Sequence, residues 1–162
     1  MSDNKQQLDE AAVKAIDDAA HKMLEQGATL GDIRGITPEQ LKAVYNMGLG
    51  LYNTGRYDDA DKVFRFLVLF DHLEAKYWIA LGAVQQVKRN FQGAVMSYGY
   101  GSFLDLHNPK PQYYAAECYL AMGDIENAKS ALAALDEYCP KDTELGREFR
   151  DKAAKLQEKL SA

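Results

Sequence analysis

The side chains that could do chemistry are few in this 162-residue chain, and they are not grouped as a catalytic or metal site requires. There are three histidines, His21, His72 and His107, and two cysteines, Cys118 and Cys139. No carboxylate or cysteine accompanies the histidines at the spacing of metal ligands, or of a nucleophile and its base. The cysteines lie 21 positions apart with no CxxC pair, which is typical of buried thiols in a reducing cytoplasm. The sequence therefore predicts no enzyme, no metal site and no cofactor.

Two further motifs could be taken for functional sites, but they fit structural roles better. The acidic pairs Asp17-Asp18 and Asp58-Asp59 are expected to be solvated helix surface and helix-start charges. The run "GYGS" from Gly99 lies inside a predicted helix and lacks the lysine that follows in a phosphate-binding P-loop. Gly101 fits a position where two helices approach closely. Gly99 has no such reason, which leaves either a bend in the helix or simple packing tolerance.

A repeat of 34 residues supplies the elements that would position a binding surface. Two sets of residues recur at this period: Ala60, Ala94 and Ala128, and four positions later Phe64, Tyr98 and Leu132. A small residue and a large apolar residue four positions later share a helix face, so a neighbouring helix can approach the alanine and be held by the larger side chain. This is the period of the tetratricopeptide repeat, whose unit is a pair of antiparallel helices.

The predicted fold is all-α, with three tetratricopeptide repeats over residues 37–142. The repeats span 41–74, 75–108 and 109–142, and their helix pairs are predicted at 39–53 with 57–70, 75–88 with 91–104, and 111–121 with 125–138. Residues 143–162 are predicted to form a C-terminal capping helix, because an array of repeats needs its ends closed.

Residues 1–36 are predicted to form an N-terminal helical region. Its helix runs to about residue 25 and carries one apolar stripe, composed of Leu8, Ala12, Ala15, Ile16, Ala19 and Met23. The glycine-punctuated run "GATLGDIRGIT" after it is interpreted as a turn. The stripe could form a homodimer with a second copy, or it could pack on the first repeat.

The helix caps and turn residues of the sequence agree with these repeat boundaries. Thr37 and Gln40 match a capping box around Pro38, which suits the first position of a helix. Gly55 and Gly123 are expected at the tight turns inside their repeats, whereas the second repeat has Arg89 at that position.

The face of the first helices that does not pack inward is the candidate binding surface. With about 100° between successive residues, repeat positions 2, 5, 9 and 12 form one stripe, which lines the concave groove of a tetratricopeptide stack. We call it the groove stripe; it comprises Lys42, Tyr45, Leu49 and Tyr52, then Lys76, Ile79, Ala83 and Gln86, then Lys110, Tyr113, Glu117 and Leu120. Apolar side chains rimmed by charge are typical of a binding groove, and the three lysines could form one wall of it. Alternatively, the N-terminal helix or a second copy of the chain covers this stripe.

The groove stripe does not match the carboxylate clamp of eukaryotic co-chaperones. That clamp needs a lysine at position 5 and an asparagine at position 9 of its first repeat, where this chain has Tyr45 and Leu49. Only Lys110 matches. The groove is therefore expected to prefer the apolar side chains of an extended segment.

Composition and charge narrow the class of partner. The net charge is −5 and no lysine and arginine cluster is present, which argues against nucleic acid or an anionic membrane surface as the main target. The polar start "MSDNKQQLDE" is unlike an export signal, and the longest apolar runs fall far short of the roughly 20 residues of a membrane span. The expected partners are proteins.

Five longer runs occur in order over residues 24–135: "EQGATLGDIRGIT", "LYNTGRYDDADKVFRFLVLFDH", "LGAVQQ", "SYGYGSFLD" and "YYAAECYLAMGDIENAKSAL". Together they resemble the class II chaperones of bacterial type III secretion systems. The resemblance implies a protein of the bacterial cytoplasm that holds two hydrophobic translocators, which later form a pore in a host membrane, soluble, apart and secretion-competent.

The resemblance also implies residues and partners. The family groove takes an extended N-terminal client segment of the type Pro-x-Leu-x-x-Pro, and its groove tyrosines match Tyr45 and Tyr52. The aromatic residue at the turn into the second helix matches Tyr57, which could instead pack within its own repeat. Family members are often homodimers, and some assist a transcription activator, a role that the residues leave open. The alternative from a different class is a tetratricopeptide scaffold that joins parts of the secretion machine without holding an unfolded client.

Overall fold

The structure is a computed structural model that describes the backbone of residues 2–161 and the side chains of residues 11–160. Over this part of the chain the secondary structure consists of nine α-helices: α1 Ser2–Gln26, α2 Leu30–Arg34, α3 Pro38–Asn53, α4 Tyr57–Phe70, α5 Ala75–Val87, α6 Phe91–Leu104, α7 Pro109–Ala121, α8 Ile125–Tyr138 and α9 Glu144–Ser161. The all-α prediction is confirmed. None of the helices in these residues combines the length and hydropathy that crossing a bilayer requires.

The six helices α3 to α8 pack as consecutive pairs, each helix against its neighbours in the chain. The second helices of the pairs begin 34 residues apart, at Tyr57, Phe91 and Ile125, and all three have the predicted bounds. The first helices differ from the prediction by at most two residues. The largest difference is at α7, which begins at Pro109 because the Asn108 side chain accepts a hydrogen bond from the Lys110 amide and so caps the helix two residues early.

The packing contact inside each repeat explains the repeated small and large positions. A Cβ atom added to Gly48 would lie 2.7 Å from the Phe64 ring, and one added to Gly82 would lie 2.8 Å from the Tyr98 ring. In repeat three the pair is Ala116 with Leu132, and both are fully buried in one cluster. A ring therefore faces glycine and the smaller leucine faces alanine, so the repeat conserves the filled volume of the helix contact.

The two ends of the array differ in how they are closed. Helix α9 packs on α7 and α8, and it buries Phe149 and Ala153 in the cluster that contains Leu132. The capping-helix prediction agrees with this arrangement.

At the other end, the described residues of α1 contact α2 alone, and Val13, Ile16 and Leu24 are 66%, 69% and 85% exposed. The described residues of α1 therefore neither pack on the first repeat nor cover the groove stripe. Leu8 of the predicted apolar stripe lies outside the residues whose side chains are described.

The prediction of a plain turn after α1 was wrong, because this run contains the short helix α2. Thr29 caps it: the Thr29 hydroxyl accepts from the Asp32 amide at 3.2 Å, and the Asp32 carboxylate accepts from the Thr29 amide at 2.8 Å. The Thr29 hydroxyl also donates to the Asp32 carboxylate at 2.8 Å, and the two hydrogen bonds that this carboxylate accepts lower the pKa of Asp32. The glycines on either side, Gly27 and Gly35, both have positive φ and so end the helical segments around it.

Arg89 occupies the tight turn of repeat two with φ 61°, where Gly55 and Gly123 have φ 77° in the other repeats. A residue with a Cβ atom is strained in this left-handed conformation by about 1 kcal/mol, whereas glycine is not. We expect Arg89→Gly to raise the free energy of unfolding by about 1 kcal/mol, as measured by urea denaturation. Gly123→Ala, the reverse change in repeat three, should lower it by a similar amount. A change of the same sign in both variants would contradict this account.

Candidate peptide-binding groove

Tyr45 is held at the junction of the first two repeats by contacts from two other helices. Its ring centroid lies 5.9 Å from that of Phe64 in α4 and 5.6 Å from that of Tyr77 in α5. The Lys76 ammonium lies 5.9 Å from the Tyr45 centroid and 5.0 Å from the Tyr77 centroid, within range of a cation–π interaction. Burial raises the pKa of Tyr45, although the side chain keeps part of its surface in solvent. Tyr45 is thus a fixed aromatic anchor with one open side.

Tyr52 and Tyr57 form a second aromatic pair, with ring centroids 5.4 Å apart in an edge-on arrangement. Tyr57 is the first residue of α4 and packs within its own repeat, where its ring contacts the Tyr52 ring and holds it in place. The pKa of Tyr52 is raised by burial first and then by the nearby hydroxyls of Tyr57 and Tyr114.

A chain of polar side chains connects the second and third repeats. The Tyr98 hydroxyl donates to Gln86 Oε1 at 2.7 Å, and Gln86 Nε2 donates to Glu117 Oε2 at 3.2 Å. Burial, and then the nearby Glu117 carboxylate, raise the pKa of Tyr113. Two predicted groove positions, Gln86 and Glu117, therefore form a fixed polar floor that can pair with the backbone of an extended segment.

Tyr113 itself is packed from two sides. Its ring centroid lies 5.5 Å from that of Tyr114 and 5.5 Å from that of Phe149, which α9 supplies. The C-terminal helix therefore closes the array and also shapes the groove of repeat three.

The remaining groove-stripe residues are not all equivalent. Ile79 points toward α6, where its Cγ1 lies 2.7 Å from the place a Cβ atom of Gly101 would occupy. This contact agrees with the close helix approach predicted at Gly101. Leu49 packs against the first core cluster, whereas Ala83 and Leu120 are half-buried.

The three lysines of the groove stripe differ in their surroundings. A cavity of about 310 Å³ at the start of the groove is lined by both Lys42 and Lys76, together with Asp32, Asp71 and Glu74. The Lys76 ammonium lies 2.9 Å from a Glu74 carboxylate oxygen, and burial raises the pKa of Asp71. Lys110 is not part of this lining. This end of the groove is consequently of mixed charge rather than uniformly basic.

The sequence interpretation missed three tyrosines that contact the groove residues from the protein interior: Tyr77 and Tyr98, which are buried, and Tyr114, which is half-buried. Tyr77 and Tyr114 are adjacent in sequence to residues of the groove stripe. Their aromatic side chains were the sequence feature that could have identified them. Tyr98 was interpreted only as the large apolar residue of its repeat. The corresponding residues Phe64 and Leu132 have no hydroxyl, so a tyrosine at this position was itself the sign of a polar partner.

No group of three or more His, Cys, Asp or Glu side chains in the described part of the chain is arranged to hold a metal ion. Both cysteines are buried free thiols, as predicted, and burial raises the pKa of Cys118 to about 12. His21 lies 3.3 Å from Glu25 on exposed α1, and His107 Nδ1 lies 3.1 Å from the Tyr138 carbonyl oxygen. These four side chains are accounted for by burial or by local pairing.

The raised pKa of Tyr113 makes the free energy of unfolding depend on pH in the alkaline range. Burial and Glu117 raise the pKa of Tyr113 to about 12, from 10.0. Because the folded protein holds this proton more tightly than the unfolded chain, the stability it contributes is present below pH 10 and is lost as the pH rises toward 12. We expect the thermal midpoint to fall over this range, and to fall less in Tyr113→Phe. A fall of equal size in both proteins would contradict a role for this hydroxyl.

Comparison with known proteins identifies relatives that match this chain over most of their length. The tetratricopeptide repeat family matches residues 112–142. The low calcium response locus protein H of Yersinia pestis is 31% identical over 144 residues, which cover 89% of this chain and 83% of that protein.

Solved structures match the fold over most of the chain. A type III secretion complex from Aeromonas hydrophila contains a chain that is 32% identical, with a TM-score of 0.83 over 89% of this chain and 95% of that one. The Yersinia enterocolitica type III secretion chaperone SycD, in complex with a peptide of the translocator YopD, is 30% identical, with a TM-score of 0.73 over 78% of this chain and 95% of that one.

Proposed function

Because this chain belongs to the class II chaperones of type III secretion systems, we propose that its groove stripe binds hydrophobic translocator proteins and keeps them soluble, apart and secretion-competent. The observation that carries the proposal is the pair Tyr45 and Tyr52, whose rings are fixed by neighbouring aromatic side chains and yet remain partly open to solvent. Rigid aromatic anchors lose little conformational entropy on binding, which suits the recognition of a short segment.

The proposed ligand is an extended segment of the Pro-x-Leu-x-x-Pro type near the client's N-terminus. The structure of SycD with a YopD peptide, from a relative 30% identical, supports this choice. The apolar side chains of the segment would contact the rings of Tyr45, Tyr52 and Tyr113. Its backbone would pair with the polar floor at Gln86 and Glu117. No bond is made or broken in this function, so the protein acts without catalysis.

The partner explains why such a protein is needed. A translocator carries membrane-seeking segments that aggregate or insert if they are released early. A disordered segment held by a few anchors can be bound reversibly and handed on for export. We therefore place the protein in the bacterial cytoplasm, where clients are made and wait.

The test of the function is the fate of a full-length translocator expressed with and without this protein. A chaperone's client is expected in the insoluble fraction, or degraded, when it is expressed alone, and in the soluble fraction when the two are co-expressed. The alternative function, a scaffold or regulatory co-activator without a holdase role, predicts that the translocator stays folded and soluble on its own. That second outcome would reject the proposal.

We propose further that α1 forms a homodimer. Val13, Ile16 and Leu24 are 66%, 69% and 85% exposed on a helix that the described remainder of its own chain leaves almost uncovered. Removing residues 1–25 should convert a dimer into a monomer, as measured by mass in solution by light scattering. Retention of the dimer after this deletion would reject α1 as its interface.

A further inference from the structure

Glu117 is the one carboxylate in the groove stripe, whose other members are three lysines and uncharged side chains. It is half-buried on α7, one helical turn after Tyr113, so the two side chains share a helix face. The one cation of the same helix, Lys110, lies seven positions earlier, which is about two turns away. Glu117 therefore places a negative charge on the surface that an extended segment would contact.

The ammonium groups nearest to the groove carboxylates are paired with residues other than Glu117. At the start of the groove the Lys76 ammonium lies 2.9 Å from a Glu74 carboxylate oxygen. On α9 the charge of Lys152 reaches Glu117, but its ammonium lies 2.6 Å from Glu148 Oε1. Within the described part of the chain, no lysine or arginine nitrogen lies within 4 Å of the Glu117 carboxylate.

The Glu117 carboxylate is held in place from the core. The Tyr98 hydroxyl, on a side chain that is 1% exposed, donates to Gln86 Oε1, and Gln86 Nε2 donates to Glu117 Oε2. A carboxylate has about four acceptor sites, so this hydrogen bond orients it and leaves acceptor capacity for a ligand. The charge also acts on its neighbours, because Glu117, after burial, raises the pKa of Tyr113 and that of Cys118. A half-buried carboxylate that is fixed in this way and lacks a cation favours a ligand that brings one.

We propose that Glu117 selects a lysine or arginine side chain at one of the three variable positions, marked x, of the client's Pro-x-Leu-x-x-Pro segment. This inference rests on the proposed function and specifies the ligand of the same groove. The fixed positions of the segment are apolar, so the cation must come from a variable one. The half-buried Tyr113 ring beside the carboxylate supplies a second contact, since ammonium and guanidinium groups also bind aromatic faces. An acidic side chain at that position is disfavoured by repulsion.

General attraction would also favour a basic peptide, because the chain has a net charge of −5 and the cavity at the start of the groove is lined by Asp32, Asp71 and Glu74. The two causes differ in what they depend on. Attraction by the whole protein acts on a lysine at any position and is weakened equally by the loss of any one exposed carboxylate. Selection by Glu117 acts at a particular position of the segment and is lost with this carboxylate alone.

The test is a fluorescence-anisotropy titration of the full chain with a set of labelled Pro-x-Leu-x-x-Pro peptides. The reference peptide has glutamine at all three variable positions, and in the others lysine or glutamate replaces one glutamine at a time. The proteins are the wild type, Glu117→Gln and Glu117→Lys. Glu126→Gln is the matched control, because it changes the net charge as Glu117→Gln does and lies exposed on α8, outside the groove stripe.

We expect lysine at one variable position to tighten binding to the wild type about 5-fold or more relative to glutamine, which is the size of a charge-assisted contact. Glutamate at that position should weaken binding. Glu117→Gln should lose the lysine preference, Glu117→Lys should prefer glutamate, and Glu126→Gln should keep the preference of the wild type.

Two results would overturn the inference while leaving the groove intact. One is binding of all the peptides to the wild type without a lysine preference at any position. The other is a lysine preference that persists in Glu117→Gln, since general attraction would then be its cause. If none of the peptides binds the wild type, the proposed function itself fails and this inference fails with it.

Discussion

Replacing Tyr45 and Tyr52 together with alanine is expected to weaken the binding of a Pro-x-Leu-x-x-Pro peptide by about 100-fold or more, since two buried aromatic anchors each contribute about 2 kcal/mol. Both rings keep an open side while neighbouring rings hold them, Phe64 and Tyr77 for Tyr45, and Tyr57 for Tyr52. A ligand therefore gains contact area without ordering these side chains. Fluorescence anisotropy with labelled peptides from candidate translocators measures the effect.

The control separates a lost contact from a lost fold. Tyr138→Ala removes a tyrosine that is 42% exposed on α8, away from the groove stripe, and should bind as the wild type does. Circular dichroism should show unchanged helical content in the double variant. If peptide binds that variant as tightly as the wild type, the groove assignment is wrong and the scaffold function becomes the better explanation.

The repeat architecture could be predicted from sequence because it depends on local and periodic signals. Helix caps such as Thr37 with Gln40 are set by residues three positions apart, and the structure contains this capping box. The small and large packing positions recur every 34 residues, so one repeat tests the interpretation of the next. The turn at Arg89 supports these repeat positions. The repeat requires a residue with positive φ there, and Arg89 adopts this conformation although it is not a glycine.

The details of the candidate groove could not be predicted in the same way. The polar chain from Tyr98 through Gln86 to Glu117 joins residues 12 and 31 positions apart. Such hydrogen bonds depend on the angle at which neighbouring repeats stack, and the period alone does not determine that angle. The same is true of Ile79, where helical periodicity predicts a groove position but the missing side chain of Gly101 lets Ile79 pack toward α6. The assignment of these residues to a binding groove stays a prediction until ligand binding to them is measured.

The largest expected effect on stability comes from Phe64→Ala, which should lower the free energy of unfolding by about 3–5 kcal/mol. Phe64 is 1% exposed and fills the space that Gly48 leaves open in α3, so truncation creates a cavity that the rigid helix pair cannot close. Urea denaturation followed by circular dichroism measures the change. Phe103→Ala is the matched control, because Phe103 is 77% exposed, and it should change stability by less than about 0.5 kcal/mol.

A double variant tests whether the ring itself or the filled volume is what the repeat requires. Repeat three already combines Ala116 with Leu132 at the positions that Gly48 and Phe64 occupy in repeat one. Gly48→Ala alone forces a Cβ atom to within 2.7 Å of the Phe64 ring, and Phe64→Leu alone leaves a void. In the double variant the added methyl group occupies part of that void, so the loss of stability should be smaller than the sum of the two single losses by about 1 kcal/mol. Strict additivity would mean that the two positions do not share a packing contact, and the explanation of the 34-residue pattern as conserved volume would then be wrong.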